Sequence, residues 1–420
     1  MKPTFLPDRY PKAALKQNYQ RVFDCLNDNG ILEGKNELVR FVGVVNAGPG
    51  QNVVFLPHGA PRDLENDGKE FAIEVMAAVT KFARQNSRTG EEDEGDPTLS
   101  FSALVAAIAE DYREHGLFSE RLRARSINSG KPNWPATIKG QVPLTAANGA
   151  PIYTDIRTTR PIASSLNILA SVQATVVREI FEFHAWWLAD SFGNREMPFD
   201  VDEPRWPREA WSRMLRGIRQ NLFAERPLRL VSMLIAYLNH APEGSAGALV
   251  CGISDFSTVW EAMLRKVIPG VEDSWNKRLP DPRYVHADGT PQRSGGMRTD
   301  IVINNGERII IADAKYYKAN RASNAPDWSD IVKQFYYVEA LATVHDAPPR
   351  DKIGNCFIFP IEDGETGKLR RVEMFGENNR PVGLFPSIDC IYIGTRNVIN
   401  SYCKGKHINR IDDYKVNAYS

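Results

Sequence analysis

Cysteine is scarce. The 420 residues hold five, Cys25, Cys251, Cys356, Cys390 and Cys403. Their number is odd, they are far apart, and no two stand at zinc-ligand spacing. Neither a disulfide framework nor a zinc site is implied, and reduced thiols in a cytoplasmic setting are the simpler reading. There is no run of about 18 apolar residues of the kind that crosses a bilayer. The opening residues, Met1-Lys2-Pro3-Thr4-Phe5-Leu6-Pro7-Asp8-Arg9, lack the apolar stretch of a secretory signal. An excess of one charge is missing too: 52 Lys and Arg face 52 Asp and Glu. That removes the global basic signature of many nucleic-acid binders, although a local basic cleft can sit on a neutral protein. No G-x-x-x-x-G-K-[ST] phosphate loop is present, so any nucleotide hydrolysis would have to come from a partner. The seven histidines form no triad or metal pattern, and His286, the one nearest the hairpin described below, reads as a loop residue. Internal repeats and low-complexity tracts are absent.

What is present is enough apolar material, 42% of residues, for a large core in two or three domains. Helical spacing runs over residues 11–27. Strand-like runs at 38–45 and 52–56 flank a Gly48-Pro49-Gly50 turn and suggest a hairpin. Helices are expected at 71–84 and 101–112, separated by an acidic segment, 91–96, that reads as a solvated loop. Short strands and turns fill 122–160. A long amphipathic helix, 162–188, ends in Phe181, Phe183, Trp186 and Trp187, which read as core rather than as base-stacking residues. Further helices are expected at 211–223, 228–238 and 256–267. The last third then alternates: strand 299–304, an Asn305-Gly306 turn, strand 308–317, helix 329–343, and strands 356–361 and 388–393. Asn-Gly between two strand-like runs is a strong hairpin signal, and Ile309-Ile310-Ile311-Ala312 has the continuous apolarity of a strand buried on both faces. The expectation is an α/β chain: an N-terminal α+β domain (1–160), a helical connector (161–250) and a C-terminal domain (251–420) with a mixed sheet flanked by helices.

Chemistry concentrates in the last hairpin. Asp300 opens its first strand, and Asp313-Ala314-Lys315 closes its second. Residues two apart on a strand share a face, so Asp313 and Lys315 converge and Asp300 reaches them across the hairpin. Two acids and an amine at the end of buried strands need a counter-charge, and a divalent cation supplies one. Mg²⁺ or Mn²⁺ would be held by Asp300, Asp313 and the carbonyl of Ala314, a donor set suited to phosphodiester hydrolysis. Lys315 is expected to orient or deprotonate the attacking water, or to stabilise charge on the pentavalent intermediate, with partial burial lowering its pKa. Glu261, on the preceding helix, is a candidate to hold the lysine or a metal-bound water. Asp330 and Gln334 share a face of the following helix, and Gln334 is a candidate to hold Lys315 or, with Tyr336 and Tyr337, to contact the DNA backbone. Arg293, Arg298, Lys318 and Arg321 lie beside these residues in sequence and read equally as phosphate contacts or as ordinary surface charge.

Glu261, Arg298-Thr299-Asp300, Ile311-Ala312-Asp313-Ala314-Lys315-Tyr316 and Gln334-Phe335-Tyr336-Tyr337 together resemble the PD-(D/E)xK nuclease superfamily. More narrowly they resemble the nuclease subunits of McrC and LlaJI type. Thr299 stands where proline is usual, a position that supplies no ligand. Upstream, Phe41-Val42-Gly43-Val44-Val45, Phe55-Leu56-Pro57 and Gly130-Lys131-Pro132-Asn133-Trp134-Pro135-Ala136-Thr137-Ile138 are similar to segments of that family. The last of these reads either as a DNA or partner contact or as a turn anchored by a buried Trp134. The resemblance implies a PD-(D/E)xK core and a Mg²⁺-dependent endonuclease subunit of a restriction and phage-defence system. It further implies a double-stranded DNA substrate, a separate AAA+ GTPase (McrB-like) partner, and a homodimer or larger assembly, since a double-strand break needs two sites. A self-sufficient restriction endonuclease and a non-cutting DNA-binding or assembly subunit are the alternatives.

Overall fold

The computed structural model describes residues 3–48, 51–89, 96–119, 123–129, 131–161, 166–192, 196–240, 248–293, 295–296 and 298–414. Most of the acidic segment (91–95), the tip of the first turn (49–50), Gly130 and the first residues of the long helix (162–165) lie outside them. The chain forms two compact units, 1–103 with 247–420, and 104–246. The sequence reading draws its borders at 160 and 250. Contacts instead group the N-terminal strands with the C-terminal third, because a late strand completes the early sheet.

In chain order the elements begin with β1 (Thr4–Pro7), α1 (Lys12–Asn18), α2 (Gln20–Asp28), β2 (Val42–Ala47), β3 (Asn52–Leu56), α3 (Gly68–Thr89) and α4 (Pro97–His115). The helix expected over 11–27 is broken at Tyr19, whose backbone leaves the helical region. β4 (Arg123–Ile127), β5 (Lys131–Pro132), α5 (Trp134–Gly140), β6 (Leu144–Thr145), β7 (Pro151–Ile152), β8 (Arg157–Pro161), α6 (Leu166–Phe192), α7 (Arg208–Arg219) and α8 (Glu225–His240) follow. The chain continues with β9 (Ala248–Ile253), α9 (Phe256–Val267), β10 (Arg283–Val285), β11 (Pro291–Arg293), β12 (Ile301–Asn304) and β13 (Ile309–Ala314). It ends with α10 (Trp328–Ala342), β14 (Ile353–Ile361), β15 (Arg371–Val372), β16 (Ile388–Gly394) and α11 (Thr395–Lys404).

The unit made of 1–103 and 247–420 holds two sheets. The first has the order β1-β3-β2-β9. β1 runs parallel to β3, while β2 is antiparallel to both β3 and β9. Leu15, Val22 and Leu26 from α1 and α2 pack on Val45, Val53 and Phe55 of this sheet. Gly43 and Gly252 meet across β2 and β9, where a Cβ on either would collide with the facing backbone and the Phe41 ring. The second sheet has the order β12-β13-β14-β16-β15. Its central strands β13, β14 and β16 are parallel and its edges antiparallel, so it is mixed. Its apolar runs are buried on both faces, which α10 achieves on one side by packing Tyr337, Val338 and Leu341 over Val302, Ile309 and Ile311.

The unit 104–246 combines α6, α7 and α8 with a small sheet of order β4-β8-β5 and the β6–β7 hairpin. Within it the Asp111 carboxylate is buried and paired with Arg226 at 3.0 Å. Trp187 is core and donates from its indole to His184 Nδ1 at 3.1 Å, whereas Phe181 is exposed. Trp134 does not anchor a turn from inside. It is half-exposed against the Tyr153 ring, and α5 is started instead by Asn133, whose side chain accepts from the Ala136 N–H. Among the described residues no helix is long and apolar enough to cross a membrane.

Candidate active site

The site is assembled by the β12–β13 register. Ile301 pairs with Ala312, so one further step in this antiparallel ladder sets Asp300 opposite Asp313. The turn between the strands closes on Gly306, which needs its positive φ of 86°, and Asn305 Oδ1 accepts from the Glu307 and Arg308 N–H groups. Asp300 then folds back over the strand end, its Oδ2 accepting the Ala314 N–H at 2.9 Å. Lys315 continues the ladder beyond β13 by donating its N–H to the Ile358 carbonyl at 2.9 Å.

The carboxylates and the lysine are only slightly exposed. Burial first, and then the neighbouring charge of Asp313, push the Asp300 carboxyl up to about 8. Lys315 Nζ lies 2.9 Å from Asp313 Oδ2 and 2.8 Å from Asp330 Oδ1. Burial on its own depresses the lysine, but the charge of Asp313 and the hydrogen bond to Asp330 outweigh it and raise its pKa. The expectation that burial lowers this pKa is therefore reversed: a lysine clamped between two carboxylates keeps its proton.

Asp330 is the residue that sequence reasoning passed over. The sequence pattern puts it on the Gln334 face of the helix and gives it no role. Asp327 caps that helix by accepting the Asp330 N–H at 3.1 Å, which turns the Asp330 carboxylate, in the first helical turn, toward Lys315. The signal was available in the pattern Asp327-Trp328-Ser329-Asp330, an N-cap followed three residues later by an acid. Gln334 does not reach the lysine. It is buried with its Oε1 unpartnered, and its backbone carbonyl accepts from Asn355 Nδ2 at 3.1 Å. Tyr337 donates its hydroxyl to the Arg298 carbonyl at 2.8 Å, tying α10 to the segment that leads through Asp300 into β12.

Glu261 stands beside the acids without touching the lysine. It pairs with Arg265 at 3.5 Å, one turn along α9, and its charge adds to the upward push on Asp300. Arg265 in turn donates to the Asp300 carbonyl at 3.3 Å and pairs with Asp273. Of the four basic residues near the site in sequence, all are exposed. Arg293 is paired with Asp281 at 2.9 Å, Arg321 uses its backbone N–H on Asn324 Oδ1, and Arg298 supplies the carbonyl that Tyr337 holds. Lys318 lines a cavity past the end of β14.

Behind the lysine, Tyr316 anchors the strand end to the first sheet. Its hydroxyl accepts the His58 N–H at 3.1 Å, its carbonyl accepts from Arg9 at 3.1 Å, and its ring packs against His58 and Phe256. Asp8 is buried here and is pushed up to about 6 by that burial. Burial also pulls His58 down to about 4.

Among the described residues no group of three or more His, Cys, Asp or Glu side chains is arranged as a metal cage. Two carboxylates brought together, with a proton retained near neutrality on one of them, nevertheless fit a divalent cation. Mg²⁺ in particular keeps several waters and needs few protein ligands.

Fold and site together define an α/β chain whose central mixed sheet ends in paired carboxylates and a protonated lysine. Residues 41–378, well over half of the chain, match the LlaJI restriction endonuclease family, and the chain belongs to that family. Among solved structures it is similar to a chain in a half-complex from a tetradecameric assembly of Thermococcus gammatolerans McrB AAA+ hexamers with bound McrC. The identity is 12%, the match covers 96% of this chain and 99% of that chain, and the TM-score is 0.41. Likeness of that degree defines neither fold nor partner. No curated protein matches the chain.

Proposed function

We propose that this restriction endonuclease family member is the DNA-cleaving subunit of a cytoplasmic phage-defence system, dependent on Mg²⁺ or Mn²⁺. Its PD-(D/E)xK core would comprise α9, β12, β13, α10 and β14. One observation carries the reading: Asp300, Asp313 and Lys315 converge at the joined ends of β12 and β13, with Lys315 within 2.9 Å of Asp313.

Asp300, Asp313 and the Ala314 carbonyl would hold the cation, which when bound polarises the scissile phosphodiester and acidifies a water. Asp300 must release its proton for this. Lys315, kept protonated by Asp313 and Asp330, serves as a fixed positive charge for the extra negative charge that develops on the phosphate oxygens. It is not the base. Asp330 positions that charge, and Arg265 positions Asp300 through its backbone. Glu261, paired with Arg265, sets the local negative potential. Gln334 is assigned a packing role.

A separate AAA+ GTPase, McrB-like by the family resemblance, is assigned any nucleotide-driven movement. Residues 1–160 are assigned to docking that partner or reading double-stranded DNA, and 161–250 to the connection. Two copies of the site are needed for a double-strand break, hence at least a dimer. The test is cleavage by the complete system, with partner, GTP and Mg²⁺. Asp313→Ala and Lys315→Ala should each abolish it, and full activity in either variant would sink the proposal.

A further inference from the structure

Past the C-terminal ends of β14 and β16 lies a cavity of about 390 Å³ to which no role has been given above. Its lining includes Arg62, Lys318, Glu365, Gly367, Lys368 and Tyr392. The wall is built rather than incidental. Tyr392 donates its hydroxyl to the Ala319 carbonyl at 2.8 Å and accepts the Leu369 N–H at 3.3 Å, so it joins the loop after Lys315 to the loop after β14. The backbone at Gly367 runs so close to the Tyr392 ring that any side chain there would collide with it.

The charges are unevenly matched. Arg62 is held by both Glu362 and Glu365, which more than offset its charge. Lys318 and Lys368 are exposed at the rim and, among the described residues, pair with no carboxylate. Three cations against two carboxylates leave an excess positive charge, with the two lysines free to turn to a ligand, and a polar cavity of this kind is suited to a phosphate.

Its position relative to Asp313 and Lys315 is set by register. Ala314 pairs with Ile358, and the cavity floor, Pro360 and Ile361, lies two to three residues further along β14. At about 3.3 Å per residue that is roughly 7–10 Å beyond the site, on the neighbouring strand. Successive phosphates of one strand wind as well as rise about 3.4 Å per nucleotide and so lie roughly 7 Å apart, and the spacing corresponds to about one or two nucleotides.

We infer that this cavity seats a backbone phosphate of the DNA strand being cut, one or two nucleotides from the scissile bond, with Lys318 and Lys368 as its ligands. The inference rests on the reading of the chain as a DNA nuclease. It assigns Lys318 a specific partner and brings in Lys368, Arg62 and Tyr392, which lie far from the site in sequence.

The experiment compares the full-length chain with its Lys318→Ala/Lys368→Ala variant. Binding of a fluorescein-labelled duplex is followed by anisotropy without divalent metal, over about 50 to 200 mM KCl. The double variant should bind about tenfold more weakly on any sequence, with the salt slope reduced by about one. Thr366→Arg, which adds a cation at the same rim, should tighten binding and steepen the slope, and it keeps the test decisive if the double variant folds poorly. Unchanged affinity and slope in both variants, while the parent chain cuts DNA in the complete system, overturn the phosphate seat and leave the nuclease reading standing. A parent chain that neither binds nor cuts DNA overturns both. If the double variant loses binding of inorganic phosphate or GTP but binds the duplex as before, the occupant is a free phosphate and the DNA assignment is overturned.

Discussion

Lys315 and Asp330 are ion-paired at 2.8 Å, Nζ to Oδ1, and that contact limits what the lysine can do. Asp313 holds the same ammonium from the other side at 2.9 Å. An amine between two carboxylates does not give up its proton near neutrality, so its contribution is charge and orientation.

Replacing Asp330 with Asn removes one side of this clamp while keeping the size of the side chain. Cleavage in the complete system should fall roughly 10- to 100-fold, the range typical of residues that orient groups around a metal site. The loss should appear in kcat rather than in KM for DNA, because Asp330 acts through Lys315. Asp330→Glu should recover part of it. The clamp would be irrelevant to catalysis if D330N cut at the parental rate.

The raised pKa of Asp300, about 8, has a consequence for metal binding. Below that pH the carboxyl carries a proton that the cation must displace. Apparent Mg²⁺ affinity should therefore climb with pH, by up to about tenfold per unit between pH 6 and 8, and level off above. Calorimetry in buffers of different ionisation enthalpy should detect about one proton released at pH 7. An affinity flat across this range would contradict the arrangement.

Asp8 offers a test of the support behind the site. Its pKa is about 6 instead of 3.8, so the fold prefers it protonated, and stability falls as pH rises from about 4 through 6. His58, depressed to about 4, acts in the opposite direction: its contribution is present above 6.5 and is lost as pH falls toward 4. Asp8→Asn isolates the first effect. The amide oxygen can still accept the Arg9 and Phe41 N–H groups that Asp8 accepts now. Above pH 6.5 the variant should be the more stable by up to roughly 3 kcal/mol, at about 1.4 kcal/mol per unit, and near pH 4 the two should melt together. Melting curves against pH decide it.

Gly43→Ala and Gly252→Ala address the first sheet. Each adds a Cβ where the facing strand's backbone already lies, and Gly43 also has a φ of 154°. Strands cannot part locally without losing the ladder, so each should cost on the order of 3 kcal/mol or more. A melting temperature within a degree or two of the parent would show that β2 and β9 can separate cheaply.

Local signals made much of the second sheet legible. The Asn-Gly turn and the apolar run at 309–312 are short-range instructions, and they give the β12–β13 hairpin and hence the meeting of Asp300 with Asp313. α9 was read at its observed bounds, and α10 within a residue. β1 and β9 went unread. β1 is four residues long, ends in proline and exists only by parallel pairing with β3, while β9 pairs with a strand from the other end of the chain. Such contacts have no local periodicity to announce them. The partner of Lys315 was missed for a related reason. Gln334 and Asp330 lie on the same helical face, and only the tilt of α10 against the sheet, fixed by its cap and by the Tyr337 bond to Arg298, decides which of them reaches the lysine.

The pairing of Ala47 with Ala248 spans 201 residues (248 minus 47). During synthesis at about 5–20 residues per second, β2 waits roughly 10–40 s for its last neighbour to leave the ribosome. Until then its six inward-packing residues present an open strand edge, which is a template for pairing with other nascent chains. A message truncated anywhere between these strands yields a fragment that is sticky as well as inactive. Production of the intact protein should therefore depend on translation speed and chaperone supply more steeply than its final stability suggests.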